Sequence, residues 1–201
     1  TTAEKPARGT GSLSRRMIII AAGWITLLLI AGGLALDRVL VNAVSDNFDD
    51  QMEYVLTAML ASAEIGPDGE VRLNRPLGDQ RFLEPNSGLY WQISGKGKMA
   101  FPSRSLWDRT LRVDLSHTDS KPHFRNSAEF DGEPLRIVER AIVLPDSETR
   151  WIFMVAQSRE SLDAQITELR TVLATAFAVL AFGLIIMAAL QTFYGLWPLR
   201  D

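Results

Sequence analysis

The sequence MIIIAAGWITLLLIAGGLAL at residues 17–36 decides the fold, because it contains no charged residue over the length of a bilayer span. A second uncharged run, VLATAFAVLAFGLIIMAALQTF, covers residues 172–193. A hydrocarbon core of roughly 30 Å needs about 20 helical residues to cross it, and a helix satisfies its own backbone polar groups there. The sequence therefore predicts two transmembrane helices, 17–36 and 172–193.

The charges beside the two runs predict the orientation of the chain. One acidic residue, Glu4, precedes the first run, whereas the basic residues flanking the two runs are Lys5, Arg8, Arg15, Arg16 and Arg200. Cytoplasmic flanks carry an excess of Lys and Arg. We therefore expect a basic cytoplasmic tail at residues 1–16 and a domain at residues 37–171 outside the membrane.

A cleaved signal peptide is the alternative for the first run, and Ser14 followed by Arg15 and Arg16 is compatible with a twin-arginine signal. The apolar stretch is longer than the usual hydrophobic region of a signal peptide, however, and no convincing A-x-A cleavage site follows it. These features favour an uncleaved anchor.

Residues 37–171 have the length of one globular domain that buries its own core. They contain 16 Lys and Arg residues against 22 Asp and Glu residues, a net charge of −6, which argues against a nucleic-acid partner. The chain has no cysteine, and it therefore holds no disulfide, no thiolate metal site and no cysteine nucleophile.

Helical periodicity continues beyond the first run to about residue 63. The residues that recur on one face at spacings of three and four are Val41, Val44, Phe48, Gln51, Val55 and Ala58. The sequence Gly-Pro-Asp-Gly at residues 66–69 ends this helix with a turn. Before the second run, Ser158 is placed to cap a helix that has Glu160 in its first turn.

This second helix carries an apolar seam with a four-three-four spacing, formed by Leu162, Ile166, Leu169 and Leu173. A seam of this kind on a helix continuous with a span predicts a parallel homodimer. The alternative is that each seam packs on the sheet of its own domain. We favour the dimer seam for the second helix and leave both possibilities open for the first.

Patterns typical of β-strands lie between the two helices. Residues 89–93 and 99–101 predict one hairpin across the turn at Gly95, and residues 135–144 and 151–157 predict another. Residues 151–156 are apolar on both faces, which is typical of a central strand.

Residues 124–130 are a weaker candidate for a further strand. A long helix, a strand meander and a closing helix are the order expected of an extracytoplasmic PAS-like (PDC-type) α/β sensor domain. The predicted fold class is therefore an α+β membrane protein, with two transmembrane helices flanking that domain.

The most distinctive aromatic and basic residues outside the membrane are Tyr90, Trp91, Arg104 and Trp107. Alternation along a strand places Tyr90 and Gln92 on one face and Trp91 on the other, while Arg104 offers a planar donor fork to an anionic ligand. We predict a ligand-binding site from these four residues. The alternative is that the tryptophans fill the core and that Arg104 pairs with Asp108.

Four carboxylates near the first span are weak candidates for a cation site, namely Asp46, Asp49, Asp50 and Glu53. A solvated helix face is the favoured interpretation of these residues. His117 and His123 flank Asp119 in a polar stretch, but without a third clear ligand we expect exposed loop histidines rather than a metal site.

Three stretches resemble the sensor region of two-span proteobacterial histidine kinases of the PhoQ-like group: SGLYWQI at residues 87–93, SRSLWD at residues 103–108, and the passage from strand to helix at residues 151–164. LWPLR at residues 196–200 resembles the opening of a HAMP linker, whose first proline breaks the transmembrane helix. Residues 194–201 are accordingly expected to begin a HAMP-like cytoplasmic linker. The expected relay residues are Leu162, Ile166, Leu169 and Pro198.

The resemblance implies the sensory input and transmembrane signalling part of a two-component sensor histidine kinase. It also implies a homodimer in the bacterial inner membrane, with the sensor domain in the periplasm and contacting an unidentified ligand or protein. No phosphoacceptor histidine helix or ATP lid occurs up to Asp201. We therefore expect no catalytic residue and no cofactor in this part, and we expect ATP, Mg²⁺ and a response regulator to bind the kinase part of a longer parent.

Two other classes of protein remain as alternatives. One is the input half of a chemoreceptor or a cyclase, which would share the same outer domain and spans. The other is a noncatalytic two-span membrane scaffold that binds a partner protein.

Overall fold

The computed structural model describes residues 11–114, 119–145 and 147–195, and within its helices the side chains from residue 16 to residue 191. The chain divides into two compact units, of which the first comprises Thr1–Asn42 and Ile166–Asp201 and the second comprises Ala43–Gln165. The predicted domain limits 37 and 171 lie a few residues from these boundaries. The assignment of segments to the membrane and to its two sides stays a prediction.

Two long helices and seven strands make up the described chain. Helix α1 covers Gly11–Ser62, and helix α2 covers Glu160–Gly195. The strands are β1 (Ala63–Ile65), β2 (Val71–Leu73), β3 (Leu89–Gly95), β4 (Phe101–Pro102), β5 (His123–Phe130), β6 (Glu133–Val143) and β7 (Arg150–Ser158). Short 3-10 helices cover Gln80–Leu83 and Arg104–Leu106.

Strands β3 to β7 form one antiparallel sheet in the order β4-β3-β7-β6-β5. Strand β7 therefore lies between β3 and β6, and residues 151–156 are all buried, which confirms the predicted central strand. Both predicted hairpins are present, although of the predicted partner 99–101 only Phe101 pairs with β3, together with the following Pro102. The weaker candidate strand at 124–130 is β5, which begins one residue earlier.

Alternation along the strands gives the sheet two faces. The helix face carries Trp91, Val138, Phe153 and Val155, and the loop face carries Tyr90, Gln92, Ile137 and Met154. All eight side chains are buried, so both faces of the sheet are covered.

Helix α1 covers the helix face through a stripe of buried residues at helical spacing, formed by Phe48, Met52, Leu56 and Met59. The guanidinium of Arg136, on the same face of β6, donates to both carboxylate oxygens of Asp49 at 2.9 and 2.6 Å. This hydrogen bonding raises the pKa of Arg136. The ion pair and the buried stripe together hold this part of α1 on the sheet.

The stripe corrects the predicted periodicity of the first helix. Of the predicted face only Phe48 is buried, whereas Gln51 is exposed and Val55 and Ala58 are half-buried. The buried stripe is rotated by one residue from the predicted face, because Met52, Leu56 and Met59 have larger apolar side chains than Gln51 or Ala58. Two possibilities were open for the first helix, a seam between two chains and packing on the sheet of its own domain. Residues 48–59 pack on the sheet of their own chain.

The loop face is covered by residues 103–114, which we call the covering loop. Leu106 and Leu111 of this loop are buried in one hydrophobic cluster with Tyr90, Ile137 and Met154. Val113 packs against the same cluster. The covering loop therefore forms the second layer of the core, in the place that a helix takes on the other face.

A small hairpin replaces the simple turn that was predicted after the first helix. Helix α1 ends at Ser62, which agrees with the predicted end near residue 63, and β1 then pairs with β2 in antiparallel register. The turn falls at residues 66–69 as predicted, with Gly69 at a φ of +74° that favours glycine. The strands were missed because each has only three residues, which is too short for an alternation of apolar and polar residues to be recognised in the sequence.

Two helices, Arg16–Ser62 and Glu160–Gln191, are long and apolar enough to cross a membrane, by length and composition. Their most apolar windows are not buried within the chain, unlike the core helix of a soluble protein. Within this unit Arg170 donates to both carboxylate oxygens of Asp37, at 2.9 and 3.3 Å.

Candidate functional site

The loop face contains a polar cluster formed by Tyr90, Arg109 and Glu133, which come from β3, the covering loop and β6. The Tyr90 hydroxyl donates to Glu133 Oε1 at 2.9 Å and accepts from Arg109 Nη2 at 2.7 Å and from the Gly88 amide at 3.0 Å. Arg109 Nη1 donates to Glu133 Oε2 at 3.0 Å. Each member thus bonds the other two, and the cluster joins the covering loop to two strands of the sheet.

The surroundings of Arg109 are aromatic as well as charged. Its guanidinium lies over the ring of Phe130 at 4.1 Å and over the ring of Tyr90 at 4.9 Å. Burial lowers the pKa of Arg109, but the hydrogen bonds with Glu133 and Tyr90 outweigh it and raise the pKa overall. Burial, together with the bond to Glu133, also raises the pKa of Tyr90, which stays a neutral phenol at physiological pH.

Gln92 fixes a second point of the covering loop. Its side chain accepts from the Leu111 amide at 2.9 Å and donates to the Leu111 carbonyl at 3.1 Å. Its amide nitrogen also donates to Ser94 Oγ at 3.0 Å. Gln92 is 2% exposed. Its side chain supplies the buried backbone of the loop with the hydrogen-bond partners that a neighbouring strand would otherwise provide.

The next residue of the loop is held by β5. The Arg112 amide donates to Glu129 Oε2 at 2.9 Å, and Arg125 Nη2 donates to the Arg112 carbonyl at 2.5 Å. Arg125 Nε also lies 3.6 Å from Glu139 Oε2, and Glu139 is only 3% exposed in the middle of β6. Side chains of the sheet therefore hold the loop backbone at two successive residues, the neutral Gln92 at Leu111 and the charged Glu129 and Arg125 at Arg112.

These contacts define what the site can do. It holds a carboxylate, a guanidinium, a phenol and a primary amide in fixed positions where the covering loop packs on the sheet. Among the described residues no group of three or more His, Asp or Glu side chains could hold a metal ion. The arrangement suits recognition of a ligand, and it suits a change in how the covering loop packs on the sheet.

The structure does not bring the four predicted ligand-binding residues together. Tyr90 belongs to the polar cluster, whereas Trp91 lies on the helix face with its ring 5.2 Å from that of Phe101. Arg104 is exposed in the 3-10 helix, and Trp107 is 70% exposed. The alternative interpretation, in which the tryptophans fill the core, holds for Trp91, which is 9% exposed, but not for Trp107. No ion pair joins Arg104 to Asp108 among the described side chains.

Sequence reasoning missed Arg109, Glu133 and the role of Gln92. The alternation that placed Gln92 beside Tyr90 was the available signal, because an amide on the buried face of an aromatic strand needs partners. Nothing near Arg109 or Glu133 in sequence distinguishes them from other surface charges. Only the packing of the covering loop on the sheet brings them to Tyr90.

The four weak metal candidates on α1 differ in exposure and in pairing. Asp49 is paired with Arg136, Asp46 and Asp50 are exposed, and Glu53 is half-buried. The favoured interpretation as a solvated face is thus wrong for Asp49, which pairs with the sheet. Of the two histidines, His117 lies outside the described residues, while His123 Nε2 bonds Asp119 Oδ1 and holds the pKa of that carboxyl below its usual value.

The predicted relay residues also differ from one another. Leu162 is 6% exposed within a single chain, so it packs on its own domain rather than at a seam between chains. Ile166 and Leu169 are half-buried. Pro198 lies outside the described residues. The predicted start of the second helix agrees with the structure, since the Glu160 amide donates to Ser158 Oγ at 3.3 Å.

The chain matches the family model described as "Two-component sensor kinase N-terminal" over residues 25–169. Because the match covers more than half of the chain, the chain belongs to this family. A search of curated proteins and a search of solved structures each found no match. The matched region is the N-terminal part of a sensor kinase and does not include the catalytic domain.

Proposed function

We propose that this chain is the sensory input and transmembrane signalling part of a two-component sensor histidine kinase. The observation that carries the proposal is the family match, which begins inside the first apolar run and ends just before the second. The family and the two apolar helices indicate a membrane protein. The match favours a sensor kinase over the chemoreceptor, cyclase and scaffold alternatives.

The sheet supports a PAS-like outer domain. When its five strands are counted in chain order, the last strand lies between the first and the fourth, and all neighbours are antiparallel. PAS-like domains have this arrangement, with one face of the sheet available for a ligand. Here we assign that role to the loop face, where Tyr90, Arg109 and Glu133 would contact the stimulus.

The relay follows from the way both helices contact the same sheet. Residues 48–59 of α1 pack on the helix face, and α2 begins directly after β7 with Leu162 buried and the Arg159 amide bonded to the Pro134 carbonyl at 2.8 Å. A stimulus that changes the packing of the sheet would move both helices by a small piston, tilt or rotation. Such a signal needs two packings that differ in affinity for the stimulus.

The rest of the proposal concerns the surroundings of the domain. The outer domain lies in the periplasm of a bacterium with its spans in the inner membrane, and residues 194–201 begin a HAMP-like linker that ends in a kinase part using ATP and Mg²⁺. That part passes a phosphoryl group to a response regulator. The flank charges and the resemblance to the PhoQ-like group support these statements.

The proposed topology is tested with a reporter enzyme that is active only in the periplasm. A fusion after Arg136 should be active, and a fusion after Asp201 should be silent. A cytoplasm-active reporter at the same two positions is the matched control and should give the opposite pattern. Activity of the periplasmic reporter only after Asp201 would contradict the orientation and the sensor assignment with it.

The homodimer is tested by cysteine crosslinking, for which the absence of native cysteine gives a clean background. Since Leu162 is buried in its own domain, the proposed seam begins at Ile166 and continues through Leu169 and Leu173. Cysteines at Ile166 and Leu169 should crosslink between chains, and a cysteine at the exposed Glu168 should not. Equal crosslinking at all three positions would show that these residues form no seam between chains.

A further inference from the structure

A concave region lies on the opposite side of the sheet from the polar cluster. It is a cleft of about 390 Å³ between α1 and the 3-10 helix Gln80–Leu83, and its floor includes Leu89 and Gln157. These two residues are register partners at the end of β3 and β7 and belong to the helix face. The volume is within the range of small-molecule sites.

The charges at the cleft are unequal. Arg81 donates to both oxygens of Asp79, with Nη2 to Oδ2 at 2.7 Å and Nε to Oδ1 at 3.1 Å, so these two charges neutralise each other. The hydrogen bond from Arg81 lowers the pKa of Asp79, which therefore stays ionised. Asp50 also lines the cleft, and no hydrogen bond or ion pair joins it to any described residue. The cleft thus has one carboxylate in excess.

An aromatic ring stands beside this carboxylate. Tyr54 follows Asp50 by one helical turn, lines the same cleft and is 77% exposed. A tyrosine face attracts a cation within about 6 Å of the ring centroid. The apolar side chains of Leu89 and Val55, one unpaired carboxylate and an exposed ring are the features of this cleft that recognise an organic cation.

We infer that this cleft binds an organic ammonium ion with a small apolar body. The ammonium group would bind the Asp50 carboxylate and the face of Tyr54, and the apolar body would cover Leu89. This site is separate from the loop face, and its ability to bind does not depend on the proposed signalling function.

The test uses n-butylammonium as the probe and the full chain in detergent micelles, with NMR amide shifts as the readout. Butylammonium should shift the amides of Arg81, Leu89 and Gln157 in a saturable manner, and the neutral n-butanol should bind at least tenfold more weakly. Equal shifts with both probes, or shifts outside the cleft only, would overturn the inference.

Variants separate the contributions of charge and ring. Asp50→Asn should weaken butylammonium binding at least tenfold, whereas Asp46→Asn, which removes an exposed charge one turn away, should leave it unchanged. Tyr54→Ala should weaken binding several-fold and Tyr54→Phe should retain it, because the ring is kept. Unchanged binding in Asp50→Asn would overturn the site even if the topology and dimer experiments succeed.

A second copy of the chain is the competing occupant of the cleft. If it fills the cleft, the same three amides shift when the protein concentration is raised without probe, and butylammonium does not compete. That result would overturn the ammonium site. Concentration-independent shifts with the probe alone are the expected result.

Discussion

The two faces of the sheet are both buried, but they are covered in different ways. On the helix face, α1 satisfies its own backbone and contributes large apolar side chains such as Met52 and Leu56. On the loop face, the backbone of the covering loop depends on side chains of the sheet, above all Gln92 and Arg125. Removal of a few polar bonds would therefore loosen the loop, whereas the helix is held by the packing itself.

The largest effect is expected on the helix face. Met52→Ala deletes a side chain that is 1% exposed, and such a truncation costs about 2–5 kcal/mol of unfolding free energy through lost burial and the cavity left behind. Urea unfolding of the full chain in detergent, followed by tryptophan fluorescence, measures it. Met99→Ala is the matched control, because Met99 is 84% exposed. Equal losses in the two variants would show that α1 does not stabilise the sheet.

A smaller and more local effect is expected on the loop face. Gln92→Leu keeps the side chain's bulk but leaves the Leu111 amide and carbonyl buried without partners, at a cost of about 1–3 kcal/mol. Hydrogen exchange measured by mass spectrometry should rise in residues 103–114 and stay low in β7. The exposed Gln51→Leu should change neither. Faster exchange throughout the sheet would mean that loop and sheet open as one unit.

The contrast between the faces also explains what the sequence could predict. The central strand follows from the unbroken apolar run at 151–156, and the hairpins follow from turn chemistry near Gly95 and Pro145. These signals are local, so they can be read without knowledge of the partner strands. The rotation of the α1 stripe from Gln51 to Met52 could not be read, because both faces contain enough apolar residues to satisfy a spacing of three and four.

The candidate site could be predicted only in part for the same reason. Tyr90 was found because it stands in an aromatic strand, and alternation placed Gln92 on its face. Arg109 and Glu133 were missed because they are 24 residues apart and meet through the path of the covering loop. Trp107 was included for its residue type, but it is exposed at a φ of +57° and takes no part in the cluster.

Removal of one hydroxyl from the polar cluster should have a modest effect. Tyr90→Phe keeps the ring over which Arg109 lies but deletes the oxygen that bonds Arg109, Glu133 and Gly88. The direct bonds between Arg109 and Glu133 remain, so we expect a loss of about 1 kcal/mol in unfolding free energy. Tyr54→Phe on the exposed side of α1 is the control and should be neutral. A loss as large as that of Met52→Ala would show that the cluster, rather than apolar packing, holds the loop face.

The smallest effect is expected at the surface pair of Asp79 and Arg81, and it depends on pH. Their side chains are 35% and 51% exposed, so solvent screening limits the pair to less than about 1 kcal/mol. The hydrogen bond from Arg81 lowers the pKa of Asp79 below the ordinary value of 3.8. Stability from this carboxylate is therefore fully present above its unfolded-state pKa and is lost as the pH falls through the lower folded-state pKa.

Asp79→Asn removes this dependence and keeps an oxygen that can accept from the Arg81 amide, as Asp79 does at the start of the 3-10 helix. The difference in unfolding free energy between the unmodified chain and Asp79→Asn should be small at pH 7 and should shrink as the pH falls through the folded-state pKa of Asp79. Parallel urea titrations across that range measure it, with the exposed Asp108→Asn as the control. A difference that grows as the pH falls would have the wrong sign for a carboxylate whose pKa is lowered by folding.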